Sequence, residues 1–120
     1  MDIVVSLALA TICFAYQGID ECHPVLLGGK HPTPRGEFVL EHMLTDDAGY
    51  GGDILTFSET STTIYAIHRV WMLNPKQKRM ERLASPSTTD NFVTGGCINV
   101  HPDVYDKLVE CCSDGTLTVR

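Results

Sequence analysis

The 120-residue sequence contains no Cys-x-x-Cys spacing and no two histidines four positions apart, so the usual ligand patterns of a zinc site are missing. No stretch approaches the roughly 20 apolar residues that a membrane-spanning helix needs. Positive charge is in deficit, with nine Lys and Arg against fifteen Asp and Glu and a formal net charge of −6. General nucleic-acid binding rests on cationic surface neutralising phosphates and is therefore not expected. Gly28-Gly29-Lys30 lacks the GxxxxGK[ST] spacing of a phosphate loop and runs straight into His31-Pro32. There is no internal repeat and no low-complexity tract. These absences leave a protein that works through its own side chains, with neither metal nor cofactor.

Hydrophobic content of 43% with 20% charged residues is ordinary for a globular chain. The length is enough for one packed core, so residues 1–120 are expected to form a single domain with one site. β-Branched and aromatic residues gather at Ile3 to Tyr16, Gly36 to Leu40, Ile54 to Phe57 and Thr62 to Val70, with Gly, Pro and Asp between them. The expectation is a mainly β, α+β fold. Asn74-Pro75, an N-cap with proline at the first helical position, predicts a helix through KQKRMERLA, residues 76–84. A second helix is predicted from His101-Pro102 to about Cys112, with Val104, Leu108 and Cys111 on one stripe and the His101 ring capping its start. Asp114-Gly115 then turns the chain into a last strand, Thr116 to Val119. The stretch HPTPRGEF, residues 31–38, reads as a stiff loop.

Five cysteines is an odd count, so at least one thiol stays outside any intramolecular pairing. If Gln17-Gly18 is a two-residue hairpin loop, Tyr16 faces Ile19 and Cys13 falls opposite Cys22 in a non-hydrogen-bonded pair, where Cα atoms are about 4.5 Å apart. That placement suits either a cross-strand disulfide or two reduced thiols on one face. Cys111 and Cys112 point about 100° apart on a helix and read as packing residues rather than a pair. The run DIVVSLALA at residues 2–10 has the small-residue pattern of a signal-peptide cleavage site. It carries Asp2 where a basic region belongs, which favours a buried strand.

The segment TGGCINV, residues 94–100, places a thiol directly after two glycines. Glycines bring the backbone close to a substrate and tolerate positive φ, so Gly95 and Gly96 can turn amides toward the place where Cys97 would attack. A thiol nucleophile needs a base, and five histidines are available. His23 and His31 lie beside prolines, His42 ends a strand near Asp46 and Asp47, and His101 starts a helix. His68 closes TTIYAIH, where alternation puts Ile64, Ala66 and His68 on one face and Tyr65 and Ile67 on the other. An ionisable ring at the tip of an apolar strand fits a Cys97–His68 dyad of nucleophile and base, and the alternatives are a thiol buried in a turn and a structural histidine.

The order of these motifs resembles the L,D-transpeptidase catalytic domain. IHRV, a long insertion and TGGCINVHPDVYDKL look like that family's active-site signature of a His, a gap, Ser/Thr-x-Gly-Cys, a hydrophobic residue and then Arg or Asn. PVLLGGKHPTPRGEFVLEH is similar to its preceding segment, and the likeness covers roughly residues 12 to 119. It implies a β-sandwich with two short helices in which Cys97 matches the nucleophile, His68 the base, Thr94 the Ser/Thr position, Gly96 the motif glycine and Asn99 the Arg/Asn position. Members of that family often hold the second nitrogen of the base on a backbone carbonyl, so no side chain is assigned to that nitrogen of His68, and the resemblance implies Gly96 and Cys97 as the oxyanion amides. Three features depart from the pattern. Gly95 stands where His is frequent, Arg69 stands where Gly or Ser is common, and Cys97 follows His68 by 29 positions, more than usual.

What the resemblance implies is acyl transfer on peptidoglycan stem peptides by a monomer outside the cytoplasm. Cys97 would form a thioester from a tetrapeptide with loss of D-Ala, resolved by an amine acceptor. The same fold also serves L,D-carboxypeptidase action or a wall-targeting toxin, and the departures at Gly95 and Arg69 leave room for a catalytically inactive peptidoglycan-binding module. Five of the nine basic residues, Arg69, Lys76, Lys78, Arg79 and Arg82, form a local positive face beside His68, suited to steering stem carboxylates or simply solvated. Trp71 is expected to pack in the core.

Overall fold

The computed structural model describes residues 2–47, 50–70 and 72–120; Trp71 lies outside them. The strands are β1 (Asp2–Ser6), β2 (Thr11–Tyr16), β3 (Ile19–Pro24), β4 (Leu27–Gly28), β5 (Gly36–Val39), β6 (Glu41–Met43), β7 (Ile54–Glu59), β8 (Ile64–Arg69), β9 (Phe92–Thr94), β10 (Ile98–Val100) and β11 (Thr116–Val119). Helices α1 (Arg79–Leu83) and α2 (Pro102–Cys112) complete the set, with single 3-10 turns at Pro75–Gln77 and Thr88–Asn91.

One sheet has the order β3-β2-β1-β11-β5 and the other β10-β8-β7-β6, with β4 and β9 paired separately. Both sheets give their inner faces to one apolar cluster. Ile3, Val5, Ile12 and Leu117 come from the first, Leu55, Ile67, Ile98 and Val100 from the second, and Val104, Tyr105 and Leu108 from α2. This is the expected mainly β sandwich. Burying each such Val, Leu or Ile stabilises the fold by about 1.5–3 kcal/mol before entropy is counted. A smaller cluster of Leu26, Val70 and Leu83, with Met80 and Val93 against it, pins the link between β8 and β9 to the sheet.

The N-terminal run does form a strand, but not a single one. It folds back through Leu7 to Ala10, where Ala10 takes φ +51°, so β1 and β2 are an antiparallel pair. The next hairpin has the register drawn from its turn residues, with Tyr16 opposite Ile19 and Cys13 opposite Cys22. Gln17 and Gly18 both have positive φ, 51° and 78°, the backbone of a type I′ turn whose twist suits the flanking strands. Cys13 and Cys22 are joined as a disulfide with Cα atoms 4.1 Å apart.

Two expectations are corrected. Cys111 and Cys112 are bonded to each other, at the last turn of α2, where the helix no longer has to hold ideal side-chain directions. The helix expected over 76–84 is also broken in two. Lys78 sits at φ 51°, ψ 48° between the 3-10 turn and α1, a left-handed conformation that costs a non-glycine residue about 1–2 kcal/mol. The second helix matches its prediction, and His101 Nδ1 accepts from the Asp103 amide at 3.1 Å.

Leu108 is fully buried and Leu9 is exposed. Leu108→Ala should therefore lower unfolding free energy by about 2–5 kcal/mol. Leu9→Ala should stay within about 0.5 kcal/mol of wild type, both read from denaturant midpoints.

Candidate functional site

β10 lies parallel to β8 with Asn99 opposite His68 and Ile98 opposite Ile67. Successive side chains alternate, so Ile67 and Ile98 turn to the core while His68 and Asn99 share the other face, and Cys97 joins them two residues before Asn99. His68, Cys97 and Asn99 line one cavity of about 310 Å³ together with Arg79, Tyr50 and Asp47. Thr94 and Gly95 complete its wall.

Thr94 shapes the loop that carries the thiol. Its hydroxyl donates to the Cys97 carbonyl at 2.7 Å and accepts from the Gly96 amide at 3.1 Å. The Gly96 amide, expected as an oxyanion donor, is thus bonded to Thr94 at rest. The two glycines have different jobs. Gly96 has φ +121°, and a Cβ there would stand 2.5 Å from Tyr65 Cε1. A Cβ on Gly95 would meet nothing within 4 Å, so Gly95 is the glycine that leaves the cavity open.

His68 is only 4% exposed. Its Nδ1 donates to the Arg69 carbonyl at 2.7 Å, the main-chain partner that the family resemblance implied. Nε2 faces Asn99 Nδ2 at 3.3 Å, and the Tyr50 ring meets the imidazole edge-on at a centroid distance of 5.1 Å. Burial, with help from the Arg79 charge, lowers the His68 pKa to about 4 against the pull of the Arg69 carbonyl and Asp47. Cys97 is the free cysteine and is partly exposed. Its Sγ lies 3.7 Å from the Ile64 carbonyl rather than on the imidazole. Burial pushes the thiol pKa up, while the Ala66 backbone and the Arg79 charge pull it back. At neutral pH both groups are uncharged.

Arg69 does not reach this cavity. The alternation that puts His68 on the site face puts Arg69 on the other, where its guanidinium lies 4.2 Å from the centroid of the Tyr105 ring and 3.0 Å from Asp53 Oδ1. Burial pushes the Asp53 pKa up, but hydrogen bonds from His42, Arg69 and Tyr105 outweigh it and leave the group below the usual carboxylate range. The positive face also breaks up: Arg82 bonds the Gln77 and Asp90 carbonyls, and of the five basic residues only Arg79 lines the cavity. Arg79, Tyr50 and Asp47 were not among the residues expected at the site. Arg79 was visible as part of a basic cluster, whereas no local signal marks Tyr50 or Asp47.

A larger and more apolar cavity of about 400 Å³ lies between β3, α1 and α2, under Pro24, Met80, Leu83 and Val104. It holds neither the free thiol nor a buried imidazole, so chemistry favours the smaller one. Among the described residues no group of three or more His, Cys, Asp or Glu side chains is placed to hold a metal.

Gly96→Ala should cost about 1–3 kcal/mol through its φ and the Tyr65 contact, while Gly95→Ala should leave the denaturant midpoint unchanged. For His68 the folded pKa lies below the unfolded value. Its contribution to stability is then complete above about pH 6.5 and is lost as pH falls toward the folded value of about 4. Between those limits a His68→Gln variant should lose less stability than wild type, as read by urea unfolding at each pH.

No protein-family model matches the chain, and no curated protein matches it significantly. Solved structures do. The fold is similar to an L,D-transpeptidase from Mycobacterium tuberculosis H37Rv at 18% identity and a TM-score of 0.62, over 99% of this chain and 57% of that one. L,D-transpeptidase 3 from the same organism, solved with a faropenem-derived adduct, superposes at 15% identity and a TM-score of 0.68 over 99% and 59%. A Cys-to-Ser mutant of an Enterococcus faecium L,D-transpeptidase does so at 16% and 0.65 over 98% and 48%. The chain thus spans between about half and three fifths of the length of these proteins. It has the β-sandwich fold of L,D-transpeptidase catalytic domains.

Proposed function

We propose that this chain is a cysteine acyltransferase of the L,D-transpeptidase type, acting on peptidoglycan stem peptides. The observation that carries the reading is that the free thiol of Cys97 and the carbonyl-anchored imidazole of His68 open into one cavity of a fold shared with L,D-transpeptidases. The neighbour solved with a faropenem-derived adduct supports a site of this fold reacting with acylating ligands.

The resting pair is neutral, so His68 acts as a general base during attack rather than holding a preformed thiolate. Cys97 turns from the Ile64 carbonyl into the cavity, its proton passes to His68 Nε2, and sulfur attacks the amide carbonyl that follows the L-centre of the stem diamino acid. The amide of Cys97 itself faces the developing oxyanion in place of Gly96, whose amide Thr94 occupies. His68 then protonates the departing nitrogen, D-Ala leaves, and a thioester remains at Cys97. An amine from a second stem attacks the thioester, its proton returns through His68 to sulfur, and a new amide forms; water in place of the amine gives carboxypeptidase action or the trimming a toxin would perform. The contact between Asn99 Nδ2 and His68 Nε2 is long, at 3.3 Å, and yields at the moment of proton transfer.

Two disulfides fit an oxidising, extracytoplasmic setting, and among the described residues no helix is long and apolar enough to cross a membrane. A second reading, a stem-binding module without turnover, is favoured by one observation: Sγ rests on Ile64 and Nε2 on Asn99, so the dyad is not joined at rest.

Incubation with a carbapenem or penem should add one acyl adduct to the wild-type chain by intact mass, and Cys97→Ala should add none. His68→Gln should slow adduct formation by about 10²- to 10⁴-fold. Absence of any wild-type adduct would favour the binding module. With stem tetrapeptides, mass spectrometry should find cross-linked dimers; trimmed tripeptide alone would assign the hydrolytic alternative.

A further inference from the structure

The hydrogen bonds at His68 run in one direction, and the direction is set at a residue remote in sequence. A guanidinium donates and never accepts. Arg79 Nη1 lies 2.8 Å from Asn99 Oδ1, which makes that atom of the Asn99 amide the acceptor. Its nitrogen is then the end that faces His68 Nε2 at 3.3 Å, so Nε2 carries a lone pair. The imidazole proton stands on Nδ1 and is donated to the Arg69 carbonyl at 2.7 Å. All three contacts agree in sense. Were the Asn99 amide reversed, its oxygen would face Nε2 and favour a protonated ring.

Arg79 is itself held for this task. Its Nε donates to Gln77 Oε1 at 2.9 Å, and the left-handed Lys78 between them aims the first residue of α1 at the sheet rather than along a continued helix. Leu83, on the same short helix, packs with Leu26 and Val70. Asn99 is fully buried, and its main chain is bonded to Leu26 on both sides, N to O at 3.0 Å and O from N at 2.9 Å.

We propose that Arg79 is a positioning residue which, through Asn99, holds His68 as the neutral Nδ1–H tautomer with its Nε2 lone pair toward the cavity of Cys97. The catalytic consequence rests on the function proposed above, whereas the arrangement of protons does not. The titratable and charged groups around the ring are Arg79, Asp47, Tyr50 and Cys97. Arg79 as a bare charge would also keep the ring neutral, so the test must separate charge from the bonded chain.

Nitrogen-15 NMR of the His68 ring in the full chain makes that separation. Wild type should titrate with a midpoint of about 4 and show the Nδ1–H tautomer above it. Arg79→Met should raise the midpoint by about one unit or more, while Arg79→Lys, which keeps both a donor and the charge, should stay within about half a unit of wild type. Lys76→Met, which removes a charge from the same link without touching Asn99, should leave it unmoved. In an Asn99→Ala background, Arg79→Met should move the midpoint by less than half of its effect alone; a shift of half or more assigns the effect to bare charge and overturns the proposal. If Asn99→Ala does not fold, exchange of the Asn99 Nδ2 protons decides: acceleration in Arg79→Met supports the chain, and an unchanged rate overturns it. An unmoved His68 midpoint in Arg79→Met overturns it as well. Cys97 acylation by a carbapenem should slow at least about tenfold in Arg79→Met and recover in Arg79→Lys. A wild type that does not acylate at all would remove the proposed function and leave the NMR result to stand or fall alone.

Discussion

The parallel pairing of β8 with β10 is the constraint on which the site depends. It puts Asn99 opposite His68 and, by alternation, Cys97 on the same face. A slip of one residue would send Asn99 into the core and bring Ile98 to the cavity. Two things hold the register. Ile67, Ile98 and Val100 are all fully buried in the main cluster, and Leu26 grips the Asn99 main chain from the opposite side of β10. The packing that stabilises the sandwich thus also sets the site geometry.

Burial then determines the chemistry. In a poorly solvated wall the charged forms of both His68 and Cys97 are disfavoured, so thiol and imidazole are both neutral at rest. The Asp53 cluster behind the sheet meets the same desolvation and answers it differently. There Arg69, His42 and Tyr105 surround a carboxylate with donors, and the charge survives. Neighbouring residues on one strand, His68 and Arg69, therefore belong to two environments that share a backbone carbonyl, the one that anchors the imidazole.

Backbone conformations that ordinary side chains avoid are found on both sides of the cavity. Gly96 has φ +121° and is followed by the thiol, and Lys78 has φ 51° and is followed by Arg79. Each is braced by side chains: Thr94 across the cysteine loop, and the Gln77 and Asn99 contacts of Arg79 beyond Lys78. Local strain persists where surrounding contacts over-determine it.

How far the residue order decided the outcome followed the range of the forces involved. The Cys13 and Cys22 register was readable because a two-residue turn and a period of two act over ten residues, and the α2 start because capping acts over three. That His68 and Cys97 line one cavity was readable because motif order and strand alternation point them the same way. That alternation also carries Arg69 to the far face, so its exclusion was implicit in the strand. Arg79, Tyr50 and Asp47 were beyond reach. Their place depends on where a 29-position link and the stretch before β7 return to the sheet, and that is decided by Leu83 and Met80 packing near Leu26 and by a left-handed Lys78 against a sequence that favours helix. Propensity acts between neighbours and costs tenths of a kilocalorie per residue, whereas burial and buried hydrogen bonds act across the whole fold and cost several times more. The strands and the shared face of His68 and Cys97 were therefore set by the residue order, and the company they keep only by packing.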